Sequence, residues 1–251
     1  MTAGSPELDR TMRLAFDDSA GRTMLDARPV VRLIADLVCP WCYIAFTRLQ
    51  RLLERTDAHL VWHPFLLNPH LPPRGVTRLH YLERRFGGIA QAQTVHRRVV
   101  QAGAREGIAF AFSAIRAQPN TVAAHALVLA AAAHGRQLEA AAALYRAFFV
   151  TGDNIGEPGV LTRIASELGL SMPEAGAAGE ERMAAQVIAA HERAFALGIA
   201  GVPVCVLGED HLIAGAQPAE ALGALLDLER YRLNLARDAG AVTDATPHSL
   251  P

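Results

Sequence analysis

Cys39 and Cys42 stand in the run Cys39-Pro40-Trp41-Cys42 and are two of only 3 cysteines in 251 residues. Random placement of three cysteines gives such a spacing on the order of a few per cent of the time. Cysteine reacts as thiolate, and a free thiol with a pKa near about 8.5 is mostly protonated at neutral pH, so a working cysteine needs something that stabilises negative charge. A helix N-terminus supplies it, because unpaired backbone N–H groups converge there at the positive end of the helix dipole. Pro40 fits the first helical position, where its missing N–H costs nothing. Cys42 then lies one turn along on the same face, within disulfide reach of Cys39. This pattern points to thiol–disulfide exchange, with Cys39 attacking through a mixed disulfide and the more buried Cys42 resolving it. Trp41 would shield the pair and offer substrate an apolar contact. The competing readings are inert buried thiols and half of a zinc site. A closed zinc site wants four ligands, and the remaining cysteine, Cys205, is far off in sequence, so no metal is expected.

The elements that must position this pair can be read around it. Val30 to Asp36 is an apolar, β-branched run, and apolar residues recur at helical spacing from Tyr43 to Arg55: strand, tight turn, helix. His59 to Phe65 alternates and meets Pro64, which suits a second strand. From Thr77 to about Leu197 the chain turns to Ala-rich segments of helical period: Thr121–Ala133, Glu139–Phe149, Pro158–Leu168 and Glu180–Leu197. Gly135, Gly169 and Gly198 are placed to close helices, and Pro158 to open one. After Gly201-Val202-Pro203 a hairpin follows, Val204–Leu207 and His211–Ala214 about a turn at Gly208-Glu209-Asp210, and then an amphipathic helix from Pro218 to Arg232. The order is βαβ, a helical insertion, then ββα.

Bulk composition narrows the function classes. A formal net charge of -1 gives no electrostatic reason to expect nucleic acid or an anionic membrane as partner. The most apolar run, Val122 to Ala133, falls short of the roughly 18 residues needed to span a bilayer. Met1 to Pro29 scatters Glu7, Asp9, Asp17, Asp18 and Asp26 among small residues and builds no secretory signal, so a mobile tail and a cytoplasmic protein are expected. With 3 cysteines there is no disulfide framework, and the expected use of cysteine is chemical.

Asp36-x-x-Cys39-Pro40-Trp41-Cys42-Tyr43, followed much later by Gly201-Val202-Pro203, resembles the DsbA-like thioredoxin-fold oxidoreductases of the FrnE type. The likeness extends through Pro64-Phe65-x-Leu67-Asn68-Pro69, Tyr81-Leu82, Phe86-Gly87, Pro119-Asn120-Thr121-x-x-Ala124-His125, Phe148-Phe149, Gly152, Ile155-Gly156 and Gly215-Ala216-Gln217-Pro218. It implies an α/β thioredoxin fold (βαβ…ββα) with an inserted all-helical domain. The corresponding division is a tail over 1–29, core over 30–74, helical insertion over 75–198, core over 199–236 and a tail over 237–251. It implies Cys39 as nucleophile, Cys42 as resolving thiol and Pro203 as a cis-proline that leaves the Val202 backbone to pair with substrate. The same family takes in 2-hydroxychromene-2-carboxylate isomerases, which bind glutathione and usually carry serine where this chain has Cys39. That departure favours redox chemistry and leaves glutathione admissible as thiol partner.

Other residues have two readings each. Asp36 either relays a proton from the resolving thiol or ends the strand and caps the turn. Asn120 and Thr121 precede a helix and either cap it or line a substrate cleft. Asn68 and Gln217 stand between the same alternatives. His125 is a hydrogen-bonded core histidine or a catalytic base. Cys205 is a small core hydrophobe or a third redox thiol. The expected activity is protein disulfide oxidoreduction on a protein or small-molecule thiol or disulfide, with no cofactor beyond the Cys39–Cys42 disulfide. In a reducing cytosol the reductase or isomerase direction is favoured. The alternatives are a glutathione-dependent isomerase or transferase, and a non-catalytic docking module around Trp41. An Ala-rich helical face leaves room for a homodimer.

Overall fold

The computed structural model describes residues 28–170, 177–207 and 211–243. Strand β1 (Val30–Ala35) leads into helix α1 (Pro40–Leu53), and β2 (His59–Pro64) returns beside β1 in parallel. There follow β3 (Val76–Thr77), α2 (Arg78–Phe86), α3 (Ile89–Arg105) and β4 (Ala117–Gln118). Next come α4 (Val122–Ala132), α5 (Gln137–Arg146), α6 (Pro158–Glu167) and α7 (Ala177–Ala196). The chain closes with β5 (Val204–Leu207), β6 (His211–Ala214) and α8 (Ala219–Thr243). β5 pairs antiparallel with both β1 and β6, so the main sheet has the order β2-β1-β5-β6 and its two inner strands meet edge to edge.

Apart from the buried Arg32, both inner strands are apolar because helices cover both faces of the sheet. Their alternation sorts side chains between two clusters. Leu33, Ala35, Cys205 and Leu207 join a large cluster with Phe46 and Leu49 of α1 and Leu222 and Leu226 of α8. Ile34, Val204 and Val206 turn the other way, onto Phe65, Ile199 and Ala194 of α7. The large cluster also takes in Leu127 of α4 and Leu144 and Tyr145 of α5, so the insertion and the elements of the main sheet bury one continuous core around α1.

Three features depart from the pattern read in sequence. The insertion, expected to be all-helical, contains a two-stranded ribbon: Val76 pairs with Gln118 and Thr77 with Ala117. Strands of two residues are too short to show a period, so alternation carries no trace of them. Helix α5 does not run unbroken to Phe149 but loosens into a π turn over Ala147–Thr151, closed by Gly152 at φ 80°. A side chain at Gly152 would also press on Ala114, its Cβ falling 2.7 Å from the Ala114 carbonyl oxygen. Helix α8 runs past Arg232 and past Arg237, where a tail was expected, to Thr243, since Leu233, Leu235 and Ala236 continue a favourable helical composition. The expected N-terminal tail up to residue 27, the turn Gly208–Asp210 and residues 244–251 lie outside the described residues. Among the described residues no helix is long and apolar enough to cross a membrane.

Candidate active site

Cys39 is the last residue before α1, with φ −95° and ψ 113°, and Pro40 opens the helix. The Cys39 carbonyl already accepts from the N–H groups of Cys42 (3.1 Å) and Tyr43 (3.2 Å), while its own N–H donates to the Asp36 carbonyl at 3.1 Å. That turn holds the thiol at the open amino end of the helix, where an anion is favoured. Cys42, one turn along, is fully buried, and its thiol is in hydrogen-bond contact with Cys39. Burial, first, and then the contact with and charge of Cys39 push the Cys42 thiol well up from its ordinary range; a hydrogen bond from the Asp36 backbone works against this, and the Asp36 charge adds to it. Trp41, between them, is 38% exposed and forms the rim, against 5% for Cys39.

The far segment meets this pair. The Cys39 thiol points at the Val202 carbonyl, Sγ to O 3.6 Å, across 163 positions of sequence. The Val202–Pro203 peptide bond is cis, Pro203 is buried, and its carbonyl accepts from Gly215 N–H at 2.8 Å. A groove of about 500 Å³ runs along Val202, Pro203, Gly201 and the outer strand residues Leu212 and Ala214. Its walls are mostly backbone and small apolar side chains, which suits an extended chain and offers no charge-specific contact.

Beneath the thiols lies a buried polar knot on Asp36, which is fully buried. One carboxylate oxygen accepts from Val38 N–H (3.3 Å) and stands 3.3 Å from His125 Nε2; the other accepts from Leu67 N–H at 2.7 Å. Tyr145 donates its hydroxyl to the Asp36 carbonyl at 3.3 Å and stacks on Tyr43 at 4.7 Å. His125 is therefore no cleft residue: it is fully buried, with its ring on Asp36 and near Trp62. Tyr145 escaped the sequence reading because an aromatic on an Ala-rich helix signals core alone.

The remaining residues singled out in sequence are engaged with other partners. Asn68 meets Tyr81, adjoining the turn closed by Leu71 N–H on the Asn68 carbonyl. Asn120 spans two segments, its amide donating to the Leu71 carbonyl (2.9 Å) and its oxygen accepting from Val122 N–H (3.0 Å), an end-of-helix clamp. Thr121 is buried next to it and makes no side-chain capping bond. Gln217 bonds to the Ala214 carbonyl at 2.7 Å and offers its own carbonyl to Arg48, two turns down α1 from Cys39. Cys205 is a buried apolar filler whose thiol burial pushes up to about 12. Among the described residues, no group of three or more His, Cys, Asp or Glu side chains is gathered for a metal ion.

Comparisons with known proteins agree with this geometry. The family model of the DSBA-like thioredoxin domain matches residues 30–227. A probable DsbA oxidoreductase from Streptomyces coelicolor is 27% identical, with a TM-score of 0.72 over 89% of this chain and 94% of that one. The uncharacterized protein YwbO of Bacillus subtilis (strain 168) is 25% identical over 191 residues, 74% of this chain and 90% of the relative. The fold is shared, at 21% identity and a TM-score of 0.53 over 83% of this chain and 99% of that one, with the cytosolic disulfide reductase DsbM from Pseudomonas aeruginosa solved with GSH.

Proposed function

This chain belongs to the DSBA-like thioredoxin domain family, a family of thiol–disulfide oxidoreductases, and from that premise we propose that Cys39 and Cys42 form its working dithiol, used in the reductase or isomerase direction in the cytoplasm. The observation that carries the reading is the meeting of Cys39, at the amino end of α1, with the Val202 carbonyl beside Pro203, over a fully buried Cys42.

The steps balance as follows. The Cys39 thiolate attacks one sulfur of a substrate disulfide, forming the mixed disulfide and releasing the other sulfur as a thiolate that takes up a proton. Cys42 then gives up its proton and attacks Cys39 Sγ, closing the Cys39–Cys42 disulfide and releasing the second substrate thiol. Two electrons have passed from the dithiol to the substrate. Two molecules of glutathione restore the dithiol, leaving as oxidised glutathione. Cys42 has its proton held in place by burial and by Cys39 until the mixed disulfide forms, which reserves attack on incoming substrate for Cys39. The groove along Val202 and Pro203 receives the chain flanking the substrate sulfur, with the Val202 backbone as pairing partner. Likeness to a cytosolic disulfide reductase solved with GSH supports both the direction and the reductant.

Titration of the dithiol against glutathione, read by Trp41 fluorescence and by mass after thiol trapping, tests this. A reversible two-electron transition between roughly −120 and −270 mV is expected. The Cys42→Ala variant is expected to accumulate a mixed disulfide on Cys39. If no intramolecular disulfide forms in the wild type and Cys42→Ala keeps full turnover with glutathione, the chain is a glutathione-dependent isomerase or transferase instead.

A further inference from the structure

A second cavity, of about 900 Å³, lies among α2, α3 and the segment 110–116 that leads into β4. That volume is the size of a small-molecule site. None of Cys39, Trp41, Val202 and Pro203 lines it. One wall is a ladder of flat rings: His96 stacks on Phe112 at 4.0 Å and 5°, and Phe112 on Phe110 at 5.2 Å and 6°. Leu79, Ile89 and Val100, which also line the hollow, are 51%, 50% and 39% exposed. Large apolar side chains gathered in a concave place and left in water mark a binding surface more often than they mark neutral exterior.

The charge is one-sided. Arg78, Arg97 and Arg116 line the cavity, and no carboxylate does among the described residues. Arg78 N–H donates to the Arg116 carbonyl at 2.9 Å, so two of the guanidinium groups spring from paired backbone positions at the end of the ribbon. Arg78 donates through Nη1 to the Gln118 side chain, which leaves its buried Nε with no hydrogen-bond partner. Burial and the Arg78 charge push His96 down to about 4, so at pH 7 the positive charge belongs to the arginines. A half-buried guanidinium with an unused donor beside apolar walls is a setting that an anion with an apolar body completes.

We propose that this cavity binds an organic monoanion with an apolar body, a fatty or aromatic carboxylate, its head at Arg78 and Arg116 and its body along the His96–Phe112–Phe110 ladder. The site is separate from the dithiol, and the proposal does not rest on the redox reading. Phe110 connects the two places, meeting Tyr43 edge to face at 5.8 Å in the helix that carries Cys42.

The test is calorimetric titration of the full chain with laurate, below its micelle concentration, and with acetate and dodecylammonium as controls. Saturable binding of laurate at a single site is expected, with acetate and dodecylammonium showing none. Arg116→Met should weaken laurate roughly tenfold, the worth of one charge-assisted contact. Val100→Glu should abolish binding by placing a carboxylate on the apolar lining. Arg116 and Val100 are exposed, so both variants should fold, and both should keep the thiol–disulfide exchange rate of the wild type. Absence of saturable laurate binding, equal binding of dodecylammonium or acetate, or unchanged affinity in both variants overturns the proposal.

Discussion

At the scale of single residues, Asp36 serves two neighbours at once. Its carboxylate is the buried acceptor for two backbone N–H groups, Val38 and Leu67, and its charge adds to the effects that keep the proton on Cys42. Asp36→Asn leaves one oxygen where two accepted and turns an amide N–H₂ toward a backbone donor, so it should cost about 1–3 kcal/mol of stability. It should also move the alkylation of Cys42 by iodoacetamide to lower pH when measured in a Cys39→Ala background. An unmoved profile would show that Asp36 is an anchor and nothing else. The sequence could offer the choice between proton relay and turn cap but could not see Leu67, whose N–H arrives from 31 positions away. His125 shows the same limit: an imidazole on an apolar helix reads alike whether its partner is substrate or a buried carboxylate, and only packing puts it on Asp36. The cysteine pair was legible because only 3 cysteines occur and the spacing of two is fixed by the chemistry, whereas Pro203, one of 14 prolines, was legible only in the company of that pair and through the family resemblance.

At the scale of elements, the inner strands were legible as short apolar runs bounded by turn residues and most of the longer helices by their repeated period, whereas α2 and α3 were covered only by the general helical character of the block from Thr77. The β3–β4 ribbon was not legible, having two residues a side. Nor was the clasp that joins three parts of the chain, since it is built from ordinary surface residue types. Arg48 of α1 donates to Glu106 after α3 at 2.6 Å and to the Ala216 carbonyl before α8 at 2.7 Å. Arg48 and Glu106 side chains are only 16% and 14% exposed, whereas Arg51, which also reaches Glu106, is 52% exposed. Removing Arg48 leaves the largely buried Glu106 carboxylate with only the exposed Arg51 and takes the Arg48 donor from the Ala216 and Gln217 carbonyls, so Arg48→Met should lower stability by about 2–4 kcal/mol. Arg51→Met should stay within about 1 kcal/mol, as exposed ion pairs do. Urea unfolding with an unchanged slope decides the matter, and equal costs for the two variants would mean that Arg48 holds nothing the solvent cannot.

At the scale of the whole molecule, the groups that one continuous core buries set how stability follows pH. Burial raises the acid range of Cys42, Cys205, Tyr43 and Tyr145 together. For such groups the folded chain keeps a proton that the unfolded chain gives up, so their contribution is complete below the unfolded value and is lost as pH rises toward the folded one. Cys205 makes the window explicit, with an ordinary value of 9.0 and a folded value of about 12. Each pH step inside that window removes about 1.4 kcal/mol. By pH 10.5 this one thiol should therefore have taken back about 2 kcal/mol of stability. Cys205→Ala removes the titration and leaves a small hole beside Leu33 and Leu207, a cost of roughly 1 kcal/mol at neutral pH. The two stability curves, measured by urea unfolding under reducing conditions, should start with the wild type above, converge past pH 9 and cross near about pH 10, beyond which the variant is the more stable protein. Curves that stay parallel from pH 8 to pH 11 would mean that the Cys205 thiol ionises in the fold as it does in the open chain, and that the inner face of β5 admits water.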